Sequence, residues 1–593
     1  MSEPHVEVCD LRIAVGERAI VDGVSFAIPR GQVLALIGES GSGKTTIALS
    51  LLGHTRFGAR IAGGTIRLGD TRIDQLDDKA LSALRGRRVA YVAQSAAAAF
   101  NPSRPILGQV IEPLLVHRLA TRAEAEARAI ELFRTLALPF PETIGRRYPH
   151  QVSGGQLQRL MAAMALISRP ELVILDEPTT ALDVTTQVDV LHAFKDALAK
   201  AGATAIYVSH DLAVVAQMAD RIAVLNGGRL VEEGPAEALL AAPQAEYTRT
   251  LFGAARPRAS ATLAAPGATA IEVRDLVAGY GKVRDGKPSI PVVEGVSFAL
   301  ERGAALGVIG ESGSGKSTLA RVIAGLLPRA SGSVELAGET LAPALAERSA
   351  DQLRRVQLVF QNADTALNPA HRVGDILARP LALFHGLTGD AAKARVDELL
   401  DLIRLPRELA SRRSTELSGG QKQRLNLARA LAAEPDVLIC DEVTSALDTV
   451  VGAAILQLID DLRRDLGIAT IFISHDISTV RAFCDQVLVL YGGGAVEQAR
   501  RAAFARGPHH PYTRLLLDSV PALDRGWLAR AGRKGETLRE GSSGLCRFLP
   551  RCPVAIAGTC DGIAPPLRHA DGQSWLCHHH PAALADMERE LTA

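Results

Sequence analysis

The 593-residue chain lacks a long uninterrupted apolar stretch, although hydrophobic residues make up 47% of it. A membrane-spanning helix needs about 18 or more consecutive apolar residues, and the apolar stretch 160–174 is broken by Arg169-Pro170-Glu171. The first ten residues also lack the basic-then-apolar pattern of a secretory signal. We therefore expect no membrane span and a protein that stays in the cytosol.

An excess of charge of either sign is also missing. The chain has 66 Lys and Arg against 65 Asp and Glu, a formal net charge of +1. Proteins dedicated to nucleic acids usually show a basic excess or patch. We therefore expect no nucleic-acid partner.

Cysteine is scarce over most of the chain. Three of the seven cysteines are scattered, and we expect them to be buried or inert: Cys9, Cys440 and Cys484. The other four cluster near the C-terminal end: Cys546, Cys552, Cys560 and Cys577. In a reducing cytosol such a cluster is a better candidate for a metal site than for a disulfide framework.

The chain does contain a long internal repeat. The sequence GESGSGKT at Gly38–Thr45 returns as GESGSGKS at Gly310–Ser317, and further motifs recur in the same order at a period of about 265 residues. A period this long indicates a duplicated domain. We predict a first domain at 1–255, a linker at 256–270, a second domain at 271–520 and a C-terminal extension at 521–593.

Short apolar runs precede these motifs. Val33–Ile37 and Ala305–Ile309 lead into the glycine-rich loops, and Leu172–Asp176 and Val437–Asp441 each end in an aspartate. Such runs are typical of buried parallel strands, and helical stretches alternate with them. We predict an α/β fold with ligands at the carboxyl ends of the strands.

Each glycine-rich loop has the pattern of a phosphate-binding loop. Its backbone amides and the start of the following helix favour an anion, the lysine reaches the β- and γ-phosphates, and the hydroxyl binds Mg²⁺. A chance match in a flexible loop is the alternative, and the recurrence of the downstream motifs argues against it. The residues concerned are Gly38, Gly41, Gly43, Lys44 and Thr45, and Gly310, Gly313, Gly315, Lys316 and Ser317.

An Asp-Glu pair ends one strand of each copy, and a histidine follows a later strand. The aspartate can hold Mg²⁺, the glutamate can polarise the attacking water, and the histidine can stabilise charge on the γ-phosphate. The alternatives are loop acids that cap a helix and histidines that bond to loop backbone. The residues are Asp176, Glu177 and His210 in the first copy and Asp441, Glu442 and His475 in the second.

A Ser-Gly-Gly-Gln motif begins a helix in each copy and offers a second anion site. One nucleotide does not require two such sites in one domain. We therefore expect a pair of domains in which one domain's loop holds the phosphates and the other domain's helix end closes over them. The residues are Ser153 and Gly155, and Ser418 and Gly420.

Together these motifs resemble those of ATP-binding cassette (ABC) ATPases over nearly the whole chain. The resemblance implies two tandem ABC-type P-loop NTPase domains plus a small Cys-containing C-terminal extension. It implies hydrolysis of ATP with Mg²⁺ at two head-to-tail sites, where Ser418 and Gly420 close the Lys44 site and Ser153 and Gly155 close the Lys316 site. It also assigns Q-loop glutamines that sense Mg²⁺, D-loop acids and an adenine-stacking aromatic: Gln94 and Gln361, Asp183 and Asp448, and Tyr280. The Mg²⁺ ligands so assigned are Thr45, Asp176 and Gln94, and Ser317, Asp441 and Gln361.

Within that family the chain is similar to the dipeptide/oligopeptide (and nickel) importer branch. The matching pieces are Asn101-Pro102, Asn368-Pro369, His510–Arg514 and Cys546–Cys552. This implies an energy-coupling subunit at the cytoplasmic face of a bacterial inner membrane. Its partners would be two permeases and, through them, a solute-binding protein, with peptide as the default solute and other small solutes open.

The chain departs from the family pattern in places. Val15 stands in the first copy where Tyr280 stands in the second, and Glu112 corresponds to Arg379. No departure removes a catalytic group. We therefore predict two competent ATP sites, with weaker adenine packing at the first, and the departures leave open whether the two are equally active.

The cysteine cluster has the spacing Cys-x5-Cys-x7-Cys-x16-Cys. Four thiolates can hold Zn²⁺ or a [4Fe–4S] cluster. Similar importer ATPases carry a [4Fe–4S] cluster at this place, so we expect the cluster, with zinc or an empty site as alternatives. The resemblance also leaves a second function open, that of an ABC-F-like translation factor, although such factors carry a long charged linker and residues 256–270 are short and mostly uncharged. A DNA-repair cassette protein is disfavoured by the neutral charge.

Overall fold

The computed structural model describes residues 4–56, 58–180, 182–255, 260, 267–445, 447–531 and 545–592. The chain divides into two compact units. The first comprises Met1–Arg256, Asp448–Val450 and Pro521–Lys534; the second comprises Pro257–Leu447, Val451–Val520 and Gly535–Ala593. Residues 256–259 and 261–266 of the predicted linker lie outside the described residues, as do residues 532–544 and 593 of the predicted extension.

The described strands of the first unit form a four-stranded sheet and a six-stranded sheet. The strands are β1 (Pro4–Val15), β2 (Arg18–Pro29), β3 (Val33–Gly38), β4 (Ala59–Leu68), β5 (Thr71–Arg72), β6 (Val89–Val92), β7 (Leu172–Asp176), β8 (Thr204–Val208), β9 (Arg221–Asn226) and β10 (Arg229–Pro235). The antiparallel sheet has the order β2-β1-β4-β5, and the second sheet has the order β10-β9-β3-β8-β7-β6. Within the second sheet only β10 pairs in antiparallel fashion.

Helices connect and cover these strands. They are α1 (Lys44–Ser50), α2 (Asp78–Leu84), α3 (Ala96–Ala99), α4 (Ile106–Val110), α5 (Glu112–Val116), α6 (Arg122–Thr135), α7 (Gly154–Leu166), α8 (Val184–Ala201), α9 (Leu212–Met218), α10 (Ala236–Ala241) and α11 (Glu246–Ala254). The parallel strands β3, β7 and β8 are buried along their whole length, as strands covered on both faces are.

The second unit repeats this plan and extends it. Its strands are β11 (Thr269–Arg284), β12 (Lys287–Glu301), β13 (Ala305–Ile309), β14 (Ser331–Leu336), β15 (Glu339–Thr340), β16 (Val356–Val359), β17 (Val437–Asp441), β18 (Ala469–Ile473), β19 (Gln486–Tyr491), β20 (Gly494–Arg500), β21 (Leu567–Ala570) and β22 (Gln573–Leu576). The antiparallel sheet has the order β12-β11-β14-β15, and the larger sheet has the order β16-β17-β18-β13-β19-β20-β22-β21. The hairpin β21–β22 comes from the extension, so the extension lengthens the sheet at the β20 edge.

The remaining helices follow the order of the first copy. They are α12 (Lys316–Ile323), α13 (Ala350–Arg355), α14 (Ala363–Ala366), α15 (Val373–His385), α16 (Gly389–Leu402), α17 (Gly419–Leu431), α18 (Thr449–Leu466), α19 (Ile477–Phe483), α20 (Arg501–Arg506), α21 (Pro511–Asp518), α22 (Trp527–Ala531) and α23 (Pro581–Thr592). Helix α22 belongs to the first unit, where Trp527 and Leu528 are buried in its core. The predicted α/β fold of two cassettes is confirmed.

The cores are mainly aliphatic, with a few buried polar groups. Of the scattered cysteines, Cys440 and Cys484 are buried as expected, whereas Cys9 is exposed. In the second unit the guanidinium of Arg463, 1% exposed, pairs with two carboxylates. It lies 2.9 Å from Asp460 and also donates to Asp485. A buried charge needs such partners, since removing one of them leaves another charge uncompensated.

Candidate functional site

The first glycine-rich loop connects β3 to α1. Gly38 has a φ of 146°, and a Cβ there would lie 2.1 Å from the carbonyl oxygen of Leu225, so no other residue fits without a shift. The buried Lys44 turns back into the loop, where its ammonium donates to the carbonyls of Gly38 (2.8 Å) and Glu39 (2.7 Å). The ammonium is therefore held against the backbone of the loop, where a bound phosphate would lie.

The second loop has the same geometry between β13 and α12. A Cβ on Gly310 would lie 2.2 Å from the carbonyl oxygen of Leu490. The ammonium of Lys316 donates to the carbonyls of Gly310 (2.7 Å) and Glu311 (2.9 Å). The two loops are therefore equivalent in backbone shape and in the position of the lysine.

The predicted Mg²⁺ ligands meet at the end of β7. Thr45 donates from its hydroxyl to one carboxylate oxygen of Asp176 (3.1 Å), and Tyr91 donates to the other (2.8 Å). Burial is the main cause that raises the pKa of Asp176 above its ordinary value. A hydroxyl and a carboxylate are ligands that Mg²⁺ prefers, so these residues fit the ion.

The second copy brings together the matching pair. Ser317 donates to Asp441 at 3.1 Å, and burial again raises the pKa of that aspartate. The strand position of Tyr91 is occupied by Leu358, so the second aspartate lacks this tyrosine. Tyr91 was not predicted as a site residue from the sequence. The available signal was a single tyrosine in an otherwise aliphatic strand.

Glu177 lies where the Q-loop and the strand-end histidine converge. Its carboxylate accepts hydrogen bonds from the Gln94 amide (2.9 Å) and the Thr180 hydroxyl (3.3 Å), and it lies 3.1 Å from Nδ1 of His210. The backbone of Glu177 has a φ of 49°, a conformation that non-glycine residues adopt rarely and that concentrates at functional sites.

Glu442 has the same surroundings. Its φ is 50°. The Gln361 amide donates to it at 2.7 Å and to the Ser445 hydroxyl at 3.3 Å. Nδ1 of His475 lies 3.5 Å from the carboxylate, so this pair is looser than the first.

The two glutamate–histidine pairs shift each other's ionisation. Burial acts to raise the pKa of Glu177, but His210 and Lys44 outweigh it and hold that pKa below its ordinary value. Burial likewise acts to lower the pKa of His210, but neighbouring carboxylates raise it. His475 lowers the pKa of Glu442, and the pKa of His475 is raised in spite of burial. Both environments therefore favour a charged pair.

The signature serines begin long helices. Ser153 accepts a hydrogen bond from the Gln156 amide (3.3 Å) as the N-cap of α7, and Ser418 caps α17 in the same way. A Cβ on Gly155 would lie 2.1 Å from the Thr186 side chain. Gly155 is therefore fixed by close packing against α8 as well as by any contact with phosphate.

The D-loop acids differ in their surroundings. Asp183 caps α8 and accepts from the Thr186 amide at 3.0 Å. Asp448 belongs to a short segment of the first unit, where its carboxylate accepts from the amide of Ser40 at 3.5 Å. Ser40 is part of the first phosphate-binding loop.

The predicted adenine platform is accessible. Tyr280 is 43% exposed on β11, and Val15 is also 43% exposed at the matching place on β1. An aromatic face is thus available in the second copy and an aliphatic one in the first.

Two tyrosines touch the phosphate-binding loops and were not assigned to the site from the sequence. The amide of Glu39 donates to the Tyr247 hydroxyl (3.3 Å), and the amide of Glu311 donates to the Tyr512 hydroxyl (2.8 Å). The recurrence of Tyr-Thr-Arg in both copies was the signal.

The predicted metal site at the cysteine cluster finds no support in the described residues. The described parts of the chain include Cys546, Cys552, Cys560 and Cys577, and within those parts no three or more Cys, His, Asp or Glu side chains are grouped so that they could hold a metal ion. Burial is the main cause that raises the pKa of Cys552 to about 12, and nearby cysteines add to the effect. The amide of Ile556 donates to the Cys560 sulfur. The described residues therefore give no support to the predicted [4Fe–4S] cluster or to its zinc alternative.

Among the described residues, no helix combines the length and apolar character needed to cross a bilayer.

Comparison with known families gives two matches. The family model described as "ABC transporter" matches residues 21–180 and 293–445, more than half of the chain. The model described as "Oligopeptide/dipeptide transporter, C-terminal region" matches residues 496–560. That match spans the end of the predicted second domain and the first cysteines of the extension.

The chain is also similar to curated proteins named glutathione import ATP-binding protein GsiA. It is 37% identical over 547 residues to that of Shigella boydii and 38% identical over 542 residues to that of Salmonella choleraesuis. Each match covers 85% of this chain and 87% of the relative. A solved structure of cbiO1 from Clostridium perfringens, part of the ABC transporter complex cbiONQ, is 28% identical and covers 40% of this chain and 91% of that chain, with a TM-score of 0.36.

Proposed function

The chain belongs to the ABC transporter family and is an ABC-type ATPase, and we propose that it is the energy-coupling subunit of an importer for di- and oligopeptides. The observation that carries the proposal is the match of residues 496–560 to the oligopeptide/dipeptide transporter C-terminal region behind two cassettes. Glutathione, which the relatives import according to their names, is a tripeptide. This supports small peptides as the class of solute.

ATP would be held by the two glycine-rich loops, with Lys44 and Lys316 on the β- and γ-phosphates. When bound, Mg²⁺ would neutralise charge that develops on the phosphates. Glu177, ionised and held between a glutamine and His210, is placed to orient the attacking water and accept its proton. His210 stabilises the glutamate and fixes its orientation. Glu442 and His475 take these roles in the second copy.

We further propose that the two sites are composite and head-to-tail. In this arrangement Ser418 and Gly420 close over the Lys44 loop, and Ser153 and Gly155 close over the Lys316 loop. The hydrogen bond between the Ser40 amide and Asp448 supports it, because a D-loop acid reaches a phosphate-binding loop there. The exposed N-terminal ends of α7 and α17 leave the signature amides available for a phosphate.

Two exposed apolar side chains support permeases as the partners. Val116 at the end of α5 and Leu383 in α15 occupy matching positions of the two copies, and each is 69% exposed. Beside Val116 lies a groove lined by Arg104, Leu107 and Glu112. Each cassette thus has an exposed apolar side chain at the matching position, as binding to two permeases would require. The chain would then act at the cytoplasmic face of the membrane, and a solute-binding protein would select the peptide.

The translation-factor alternative is not favoured. The region matched at residues 496–560 is one of peptide transporters, and the relatives are named as import proteins.

Co-purification from native membranes tests the proposal. The tagged chain should bring down two multi-span permeases, whose binding protein can then be screened for peptides. Val116→Glu and Leu383→Glu should reduce recovery of the permeases. Phe140→Glu, at a residue that is 66% exposed, is the matched control and should retain them. Recovery of ribosomal proteins without a permease would overturn the proposal.

A further inference from the structure

The C-terminal extension contacts the second phosphate-binding loop directly. Arg551 lies in the turn that contains the first two clustered cysteines, and Glu311 is the second residue of the loop. The two guanidinium nitrogens of Arg551 donate to the two carboxylate oxygens of Glu311 at 2.7 and 3.0 Å. Such a two-point pair is stronger and more directional than a single contact, and both side chains are partly buried.

Glu311 is consequently held at three places. Its amide donates to the Tyr512 hydroxyl (2.8 Å), its carbonyl accepts from the Lys316 ammonium (2.9 Å), and its carboxylate is held by Arg551. The lysine that would bind phosphate therefore rests on a residue whose position the extension helps to set.

Aromatic side chains also hold Arg551 and its turn in place. Its guanidinium carbon lies 6.0 Å from the centre of the Tyr491 ring, within the range of a cation–π contact. That ring packs against Tyr512 (4.5 Å between centres) and against Phe548 of the extension (5.2 Å). The turn is thus fixed to the cassette by an aromatic cluster as well as by the ion pair.

The first phosphate-binding loop has only part of this arrangement. The Glu39 amide meets the Tyr247 hydroxyl and its carbonyl accepts from Lys44, as in the second loop. Within the described ranges, however, no arginine, lysine or histidine forms an ion pair with the Glu39 carboxylate. The ion pair at the glutamate carboxylate is therefore a difference between the two loops, and the extension supplies it.

We propose that Arg551 is a positioning residue for the second ATP site and that it makes nucleotide capture by the Lys316 loop depend on the C-terminal extension. This inference rests on the proposed function, in which both loops bind ATP. Binding costs less free energy when a loop is already ordered in its bound shape. Because Arg551 acts through Glu311, its removal should weaken ATP affinity at the second loop and leave the first loop unaffected.

Calorimetric titration of the full-length protein with ATP and Mg²⁺ tests this. Lys44→Ala leaves the second loop as the site of binding, and Lys316→Ala leaves the first. In the Lys44→Ala background, Arg551→Ala should raise the Kd for ATP about tenfold, the size expected from losing a partly buried charged pair. In the Lys316→Ala background the same change should leave the Kd within about twofold.

Three further variants separate positioning from general damage. Arg551→Lys keeps the charge and should give an intermediate Kd, and the exchange Arg551→Glu with Glu311→Arg should restore most of the affinity.

Arg547→Ala is the matched control, because Arg547 lies in the same turn but pairs with Glu294 (3.3 Å), and it should leave the Kd unchanged. An Arg551→Ala Kd that is unchanged at the second loop, or an exchange without rescue, overturns the inference. Loss of ATP binding in both lysine backgrounds would instead count against the proposed function.

Discussion

Replacing the two glutamates proposed as catalytic, one at a time, tests whether both ATP sites work. Glu177→Gln and Glu442→Gln preserve side-chain size, so the loops and their lysines should stay in place. Glutamine has one acceptor oxygen, whereas the two oxygens of Glu177 accept from Gln94 and contact His210 separately. Each variant thus loses a proton acceptor and one polar contact, and ATP binding should persist.

The expected loss of rate follows from the general-base role proposed for the carboxylate. A positioned general base contributes about 10²- to 10⁴-fold, so the altered site should contribute almost nothing to turnover. If the two sites work independently and equally, each single variant keeps about half of the rate. Coupled sites would leave less than that, and the double variant should lose about 10²- to 10⁴-fold.

Steady-state phosphate release at saturating ATP and Mg²⁺ is the assay, with nucleotide binding measured in parallel as a check on folding. We expect both single variants at or below about half of the parent rate. If one variant abolishes turnover and the other leaves it untouched, the reasoning that both sites are competent is refuted.

Three further predictions follow from particular contacts. Tyr91→Phe removes the 2.8 Å hydrogen bond that helps to orient Asp176, so with only the first site active the Mg²⁺ concentration for half-maximal ATPase should rise about three- to tenfold; an unchanged Mg²⁺ titration contradicts this. The raised pKa of His210 means that its pairing with Glu177 stabilises the fold below the ordinary histidine pKa and is lost as pH rises through the raised value. Urea unfolding should therefore show a larger penalty for His210→Gln near pH 6 than near pH 9, and equal penalties would be inconsistent with the pair. Arg463→Met removes the most deeply buried cation from Asp460 and Asp485, which keep contacts with Arg464 (3.1 Å) and Arg501 (3.2 Å). It should therefore lower the free energy of unfolding by about 3 kcal/mol, the lower end of the cost of breaking a buried ion pair, whereas a change below about 1 kcal/mol in urea denaturation would contradict this account.

The sequence predicted the fold and the position of each motif because local pattern determines both. A glycine-rich loop after a buried strand must lie at the strand's carboxyl end, so Lys44 and Asp176 could be placed near each other without coordinates. Contacts between distant segments could not be found in this way. Arg551 and Glu311 are 240 residues apart, and no local pattern marks them as partners.

The cysteines also show that local sequence pattern does not determine a contact between side chains. Their spacing allowed a metal site, but spacing alone does not fix how four side chains are directed. Burial and neighbouring contacts, such as the amide that donates to the sulfur of Cys560, decide that geometry. The hydrogen bonds between tyrosine hydroxyls and loop amides could have been predicted from the sequence, since Tyr247 and Tyr512 recur with the repeat.

The hairpin that the extension adds to the second sheet has a consequence for the order of folding. In the first unit every strand of the central sheet has been synthesised by Pro235. In the second unit β20 pairs with β19 but gains its second neighbour only with Gln573–Leu576, where Trp575 pairs with Glu497. Until those residues emerge from the ribosome, β20 remains an open edge, and open edges invite pairing with other chains. Chaperone dependence during synthesis should therefore concentrate in the interval between the completion of β20 and the arrival of β22.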